Sequence, residues 1–114
     1  MRFKREKLIK IMNELVNFCL EIDMKNLDIN FRCDKSRGEI TVSGYAQDPP
    51  MKRLKDLEAI LNAPRQQELE EYYWVLVGDG HGYQELEMVG TLVDSGRISY
   101  EDEILTFYIQ RRQD

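Results

Sequence analysis

A chain of 114 residues, 42% apolar and 32% charged, is large enough to bury a core without disulfide or metal staples, and its balance is that of a globular protein rather than a disordered one. Its net charge of −5 is unevenly spread: residues 1–47 carry nine basic and seven acidic side chains, residues 48–103 five and thirteen. So acidic a middle argues against a protein that works by gripping phosphate backbones, and nucleic acid is not an expected partner.

The first seven residues, Met1-Arg-Phe-Lys-Arg-Glu-Lys, are basic, but the uninterrupted apolar stretch of a secretory leader does not follow them. No later run approaches the length of a bilayer span. The expected setting is therefore cytoplasmic and reducing, with no membrane partner. Two cysteines, Cys19 and Cys33, are too few for a disulfide framework and are read as buried, reduced thiols. One domain over residues 1–114 is expected, since no linker or low-complexity segment divides the chain.

Residues 4–22 predict an amphipathic helix: Leu8, Ile11, Met12, Leu15, Cys19 and Ile22 recur at three- and four-residue steps. Arg2, Lys4, Arg5, Lys7 and Lys10 are read as the solvated edge of that helix rather than a polyanion site. Next, Leu27, Ile29, Phe31 and Cys33 alternate with Asp28, Asn30 and Arg32, the period of a half-buried strand. Asp34-Lys-Ser-Arg-Gly38 supplies a turn, and Ile40, Val42 and Gly44 resume the alternation, giving a first hairpin.

Asp48-Pro49-Pro50 predicts a helix start with Asp48 as N-cap, and Met51, Leu54, Leu57, Ile60 and Leu61 form a stripe that ends near Asn62. A third helix is expected from Pro64. The run Tyr72-Tyr-Trp-Val-Leu-Val77 fits either the second half of that helix or a buried strand, with helix preferred because no turn signal intervenes before Gly78. A loop over 78–82 and a fourth helix over 83–94 follow. Arg97–Tyr100 and Ile104–Arg111 then predict a second hairpin around Glu101-Asp102-Glu103. The expected fold is α+β: an antiparallel sheet from two β-hairpins with about four helices packed on one face.

Chemistry-bearing motifs are sparse. His81, the lone histidine, sits between Gly80 and Gly82 with Asp79, Glu85 and Glu87 nearby. An imidazole among carboxylates suits a divalent metal or a general base, but the spacing matches no established ligand set and an exposed turn has the same composition. The glycines fit neither a dinucleotide fingerprint nor a P-loop, and no serine lies in a nucleophile elbow. No cofactor is expected. Tyr72, Tyr73 and Trp74 are consecutive, so a helix spreads them too widely to bury all three against one sheet, which points to an interface. Arg32, Tyr45, Tyr108 and Arg112 form a second candidate surface, on the polar side of the sheet.

These readings favour a non-catalytic protein-interaction or self-association module, pairing with itself as a homodimer or with another protein. The alternative is a small metal-assisted enzyme using the His81 loop.

Overall fold

The computed structural model describes residues 4–65 and 90–113. In chain order these form α1 (Lys4–Glu21), β1 (Lys25–Cys33), β2 (Arg37–Tyr45), α2 (Met51–Leu61), a 3-10 turn (Gly90–Leu92), β3 (Ser95–Glu101) and β4 (Ile104–Arg112). The strands make one antiparallel sheet in the order β1-β2-β4-β3, so each hairpin stays intact and the two meet where β2 pairs with β4.

Local chemistry sets the turns. In the first hairpin Asp34 Oδ1 accepts the amides of Ser36 (2.9 Å) and Arg37 (2.8 Å), an Asx turn that reverses the chain. Those two amides hold the Asp34 carboxyl below its ordinary range. In the second hairpin Asp102 (φ 52°) and Glu103 (φ 64°) both occupy the left-handed region, the signature of a tight two-residue turn whose twist matches its strands. The Glu103 carbonyl accepts the Ala46 amide at 2.9 Å, which steadies this conformation.

The register fixes which side chains share a face. Ile40 and Val42 lie opposite Ile109 and Phe107, and Phe107 lies opposite Ile98 on β3. These residues, with Leu8, Ile11, Leu15 and Phe18 of α1 and Leu54, Leu57 and Leu61 of α2, make the core. The Phe18 and Phe107 rings meet edge to face, centroids 6.0 Å apart. One helix lies to each side of the apolar face. Leu8 of α1 fills the space above Gly38 of β2, where an added Cβ would come within 2.5 Å of its Cδ2, and Leu61 of α2 sits equally close above Gly96 of β3.

Several expectations are corrected. The described residues hold two α-helices, not about four. Pro64 and Arg65 are not helical, because the Arg65 guanidinium bonds Asp94 (2.9 Å) and the Arg112 carbonyl (3.1 Å), tying this stretch to the end of the sheet. Residues 90–92 form only a 3-10 turn: buried Gly90 is pressed against Leu61, and Asp94, bonded to Arg65 and to the Arg112 amide, steers the chain into β3. The rest of the third and fourth expected helices lies outside the described residues. Asp48 is not the cap of α2. It takes a left-handed turn (φ 56°), and Pro50 holds the N-cap position without a side-chain bond. Lys7 is buried, and the Lys10 ammonium lies 3.5 Å from the Glu14 carboxylate, so the α1 basic run is not a solvated edge along its length.

Cys33 is also corrected: it is exposed, because α1 sits over β2 and leaves β1 uncovered. Cys19 is buried, and burial pushes its thiol up to about 12, which keeps it protonated and inert. A thiol reagent near neutral pH should therefore label Cys33 in the folded protein and Cys19 only after denaturant is added. Mass spectrometry of the labelled peptides reads this directly, and fast native labelling of Cys19 would contradict the packing of α1.

Candidate functional site

Of the expected site residues, Tyr72, Tyr73 and Trp74 and the metal candidates Asp79, His81 and Glu85 lie outside the described residues. Arg32, Tyr45 and Tyr108 do share the polar side of the sheet. The structure brings Arg32 and Tyr108 together around Glu39, a residue with no distinguishing signal in its local pattern. Arg32 and Gln110 flank Glu39 in the register, and Tyr108 is one step away opposite Thr41.

Glu39 Oε2 accepts hydrogen bonds from Arg37 Nη1 (3.0 Å) and the Tyr108 hydroxyl (3.1 Å), and Arg32 Nη1 lies 4.0 Å from Oε1. The Arg97 guanidinium stands 5.9 Å from the Tyr108 ring centroid. The Arg37 bond, then the Tyr108 bond, hold the Glu39 carboxyl below its ordinary range. Desolvation and the bond to Glu39 push the Tyr108 phenol up. Both shifts carry these groups away from neutrality, so Glu39 stays ionised and Tyr108 stays protonated. That suits a fixed charge network better than proton transfer. Tyr45 belongs elsewhere: it lies opposite Ile104 and donates to Glu103 Oε2 at 3.3 Å. Arg112, the fourth surface candidate, is exposed at the far end of β4, opposite Arg37.

The sharper feature is the contrast between the two outer strands. An outer strand presents unpaired amides and carbonyls, a template for another chain unless something covers it. On β3 the cover is built from α2. Asn62 accepts the Gly96 amide at Oδ1 (3.1 Å) and donates Nδ2 to the Gly96 carbonyl (2.7 Å), and Glu58 Oε2 accepts the Ile98 amide (2.7 Å). Two side chains one helical turn apart thus take up three outward main-chain groups of β3, the Gly96 amide and carbonyl and the Ile98 amide.

On β1 the opposite holds. No described strand pairs beyond it, all of its residues except the half-buried Leu27 are exposed, and Ile29 and Phe31 keep 47% and 37% of their surface in water. Both lie on the apolar side of the sheet, opposite Val42 and Ile40. Ile9 and Leu20 of α1 are exposed as well, on the side of the helix turned away from its buried stripe. Exposed apolar side chains scattered singly are ordinary; Ile29 and Phe31 sit together along a strand with no described partner on its outer side.

The alternation in β1 has the pattern of a half-buried strand and carries no signal of this margin, because which strands lie outermost depends on how the hairpins dock. Among the described residues no group of three histidine, cysteine or acidic side chains is placed to hold a metal ion, and no described helix is long and apolar enough to cross a membrane. No protein-family model matches the chain, and no curated protein is similar to it in sequence.

Proposed function

We propose that this protein is a non-catalytic self-association module whose sheet joins that of a second copy through β1. The observation that carries the reading is the asymmetry of the sheet: Asn62 and Glu58 bond the Gly96 and Ile98 amides of β3, while no described strand pairs beyond β1, whose margin carries Ile29 and Phe31. Strand addition supplies main-chain hydrogen bonds and buries these side chains in one step. The aromatic run Tyr72–Trp74 is a second interface expectation, supported by sequence alone.

Light scattering after size exclusion tests the reading. The wild type is expected to run as a dimer that dilution dissociates. Phe31→Lys puts an ammonium in the middle of the margin and is expected to yield a folded monomer, because Phe31 lies outside the buried core cluster. A wild type that stays monomeric at the highest soluble concentration, or a Phe31→Lys variant that dimerises as the wild type does, would falsify it.

A further inference from the structure

The strand itself specifies how two copies meet, given the reading that β1 is the associating margin. Beside the first turn the Asp34 amide donates to the Arg37 carbonyl at 2.9 Å. Antiparallel pairs alternate in bonding, so Arg32, Asn30 and Asp28 exchange main-chain bonds with Glu39, Thr41 and Ser43 of β2. Ile29, Phe31 and Cys33 therefore turn their amides and carbonyls to the side where no described strand lies. Their side chains lie on the apolar face, and those of Asp28, Asn30 and Arg32 on the polar face.

A two-fold axis pairs β1 with itself antiparallel, and matching of the faces requires the axis to pass through a residue rather than between two. Three centres use the exposed part of the strand. Centred on Ile29, Asp28 meets Asn30 and Arg32 meets Asn26, whose left-handed backbone (φ 56°) lies in the irregular part of the strand. Centred on Phe31, Asp28 of one copy meets Asp34 of the other, like against like. Centred on Asn30, Asp28 of each copy lies opposite Arg32 of the other, and Ile29 lies opposite Phe31. Arg32 has room for such a partner: its side chain is 76% exposed and its approach to Glu39 is a long 4.0 Å.

We infer that two copies join β1 to β1 about an axis through Asn30, with two Asp28–Arg32 pairs on the polar face and two Ile29–Phe31 contacts on the apolar face. The Ile29 and Phe31 pairs exchange the main-chain bonds of the seam, and the two four-stranded sheets become one continuous sheet.

Charge exchange tests the register. D28R is expected to weaken dimerisation by about tenfold, because its new cation faces Arg32 twice per dimer, and R32D to weaken it similarly by facing Asp28 twice. Mixed in equal amounts, the two variants have every pair complementary and are expected to form a heterodimer of near wild-type strength, read by analytical ultracentrifugation with one partner fluorescently labelled. Rescue on mixing, with circular dichroism showing each variant folded, separates lost charge matching from a folding defect.

A second measurement is independent of charge. The two Asn30 residues form a non-hydrogen-bonded pair with Cα atoms about 4.5 Å apart, within disulfide reach. N30C in a C33S background is expected to cross-link into a covalent dimer on mild oxidation. If Phe31→Lys abolishes association but D28R and R32D dimerise like the wild type and N30C does not cross-link, the register is wrong and the reading of β1 stands. If the wild type never associates, both fall.

Discussion

Phe107→Ala is expected to cost about 3–5 kcal/mol of folding stability, the range for truncating a buried aromatic. Phe107 is fully buried on β4, the strand that pairs with both β2 and β3. Its neighbours across the sheet are Val42 and Ile98, and its ring meets Phe18 of α1 edge to face. One side chain thus joins both hairpins to a helix, and removing it leaves a void that no single element can close. Against a total stability of roughly 5–15 kcal/mol for an ordinary domain, such a loss brings the protein near its unfolding midpoint. Urea denaturation followed by circular dichroism measures it, and a loss below about 1 kcal/mol would show that Phe107 is not the centre of the core.

The second large effect is expected at Gly96. A Cβ there would sit 2.6 Å from Leu61 Cδ1 and 2.7 Å from Leu61 Cβ, and the second of these cannot swing away without moving α2. Gly96→Val should therefore cost at least the roughly 1–3 kcal/mol typical of overpacking. It should also lift Asn62 from the Gly96 backbone and Glu58 from the Ile98 amide, uncovering the outer side of β3. The expected result is a lower melting temperature together with species larger than a dimer in light scattering, whereas Phe107→Ala lowers stability without that specific route to growth. A Gly96→Val protein of wild-type stability and size would refute the tight packing of α2 on β3.

Much of the fold was legible because it follows from local periodicity. The three- and four-residue steps from Leu8 to Cys19 mark α1, and the alternations from Leu27 and from Ile104 mark strands whose turns carry Asp34 and the Asp102-Glu103 pair. What the sequence did not reveal are relations between distant segments. Nothing local states that β2 and β4 are neighbours, and that pairing decides which strand of each hairpin faces outward. Ile29, Phe31 and Cys33 have the pattern of a buried face, and only the position of α1 over β2 leaves them in water. Asn62 and Glu58 look like the ordinary polar end of a helix until β3 is set beside them.

The candidate site divides in the same way. Arg32 and Tyr108 share the polar side because strand parity fixes it, but their meeting point, Glu39, depends on register. Tyr45 has the same parity and sits at the other end of β2, bonded to Glu103. Periodicity assigns a residue to a side of the sheet; its place along the strand comes from how the hairpins dock.

The fixing of Asn62 and Glu58 to β3 has a consequence for the size of any assembly. A sheet with two receptive margins can recruit copies at both ends and lengthen without limit, the geometry of a fibril. Under the proposed pairing through β1, Asn62 and Glu58 stand between the far margin of each sheet and a further strand, which favours stopping at two copies.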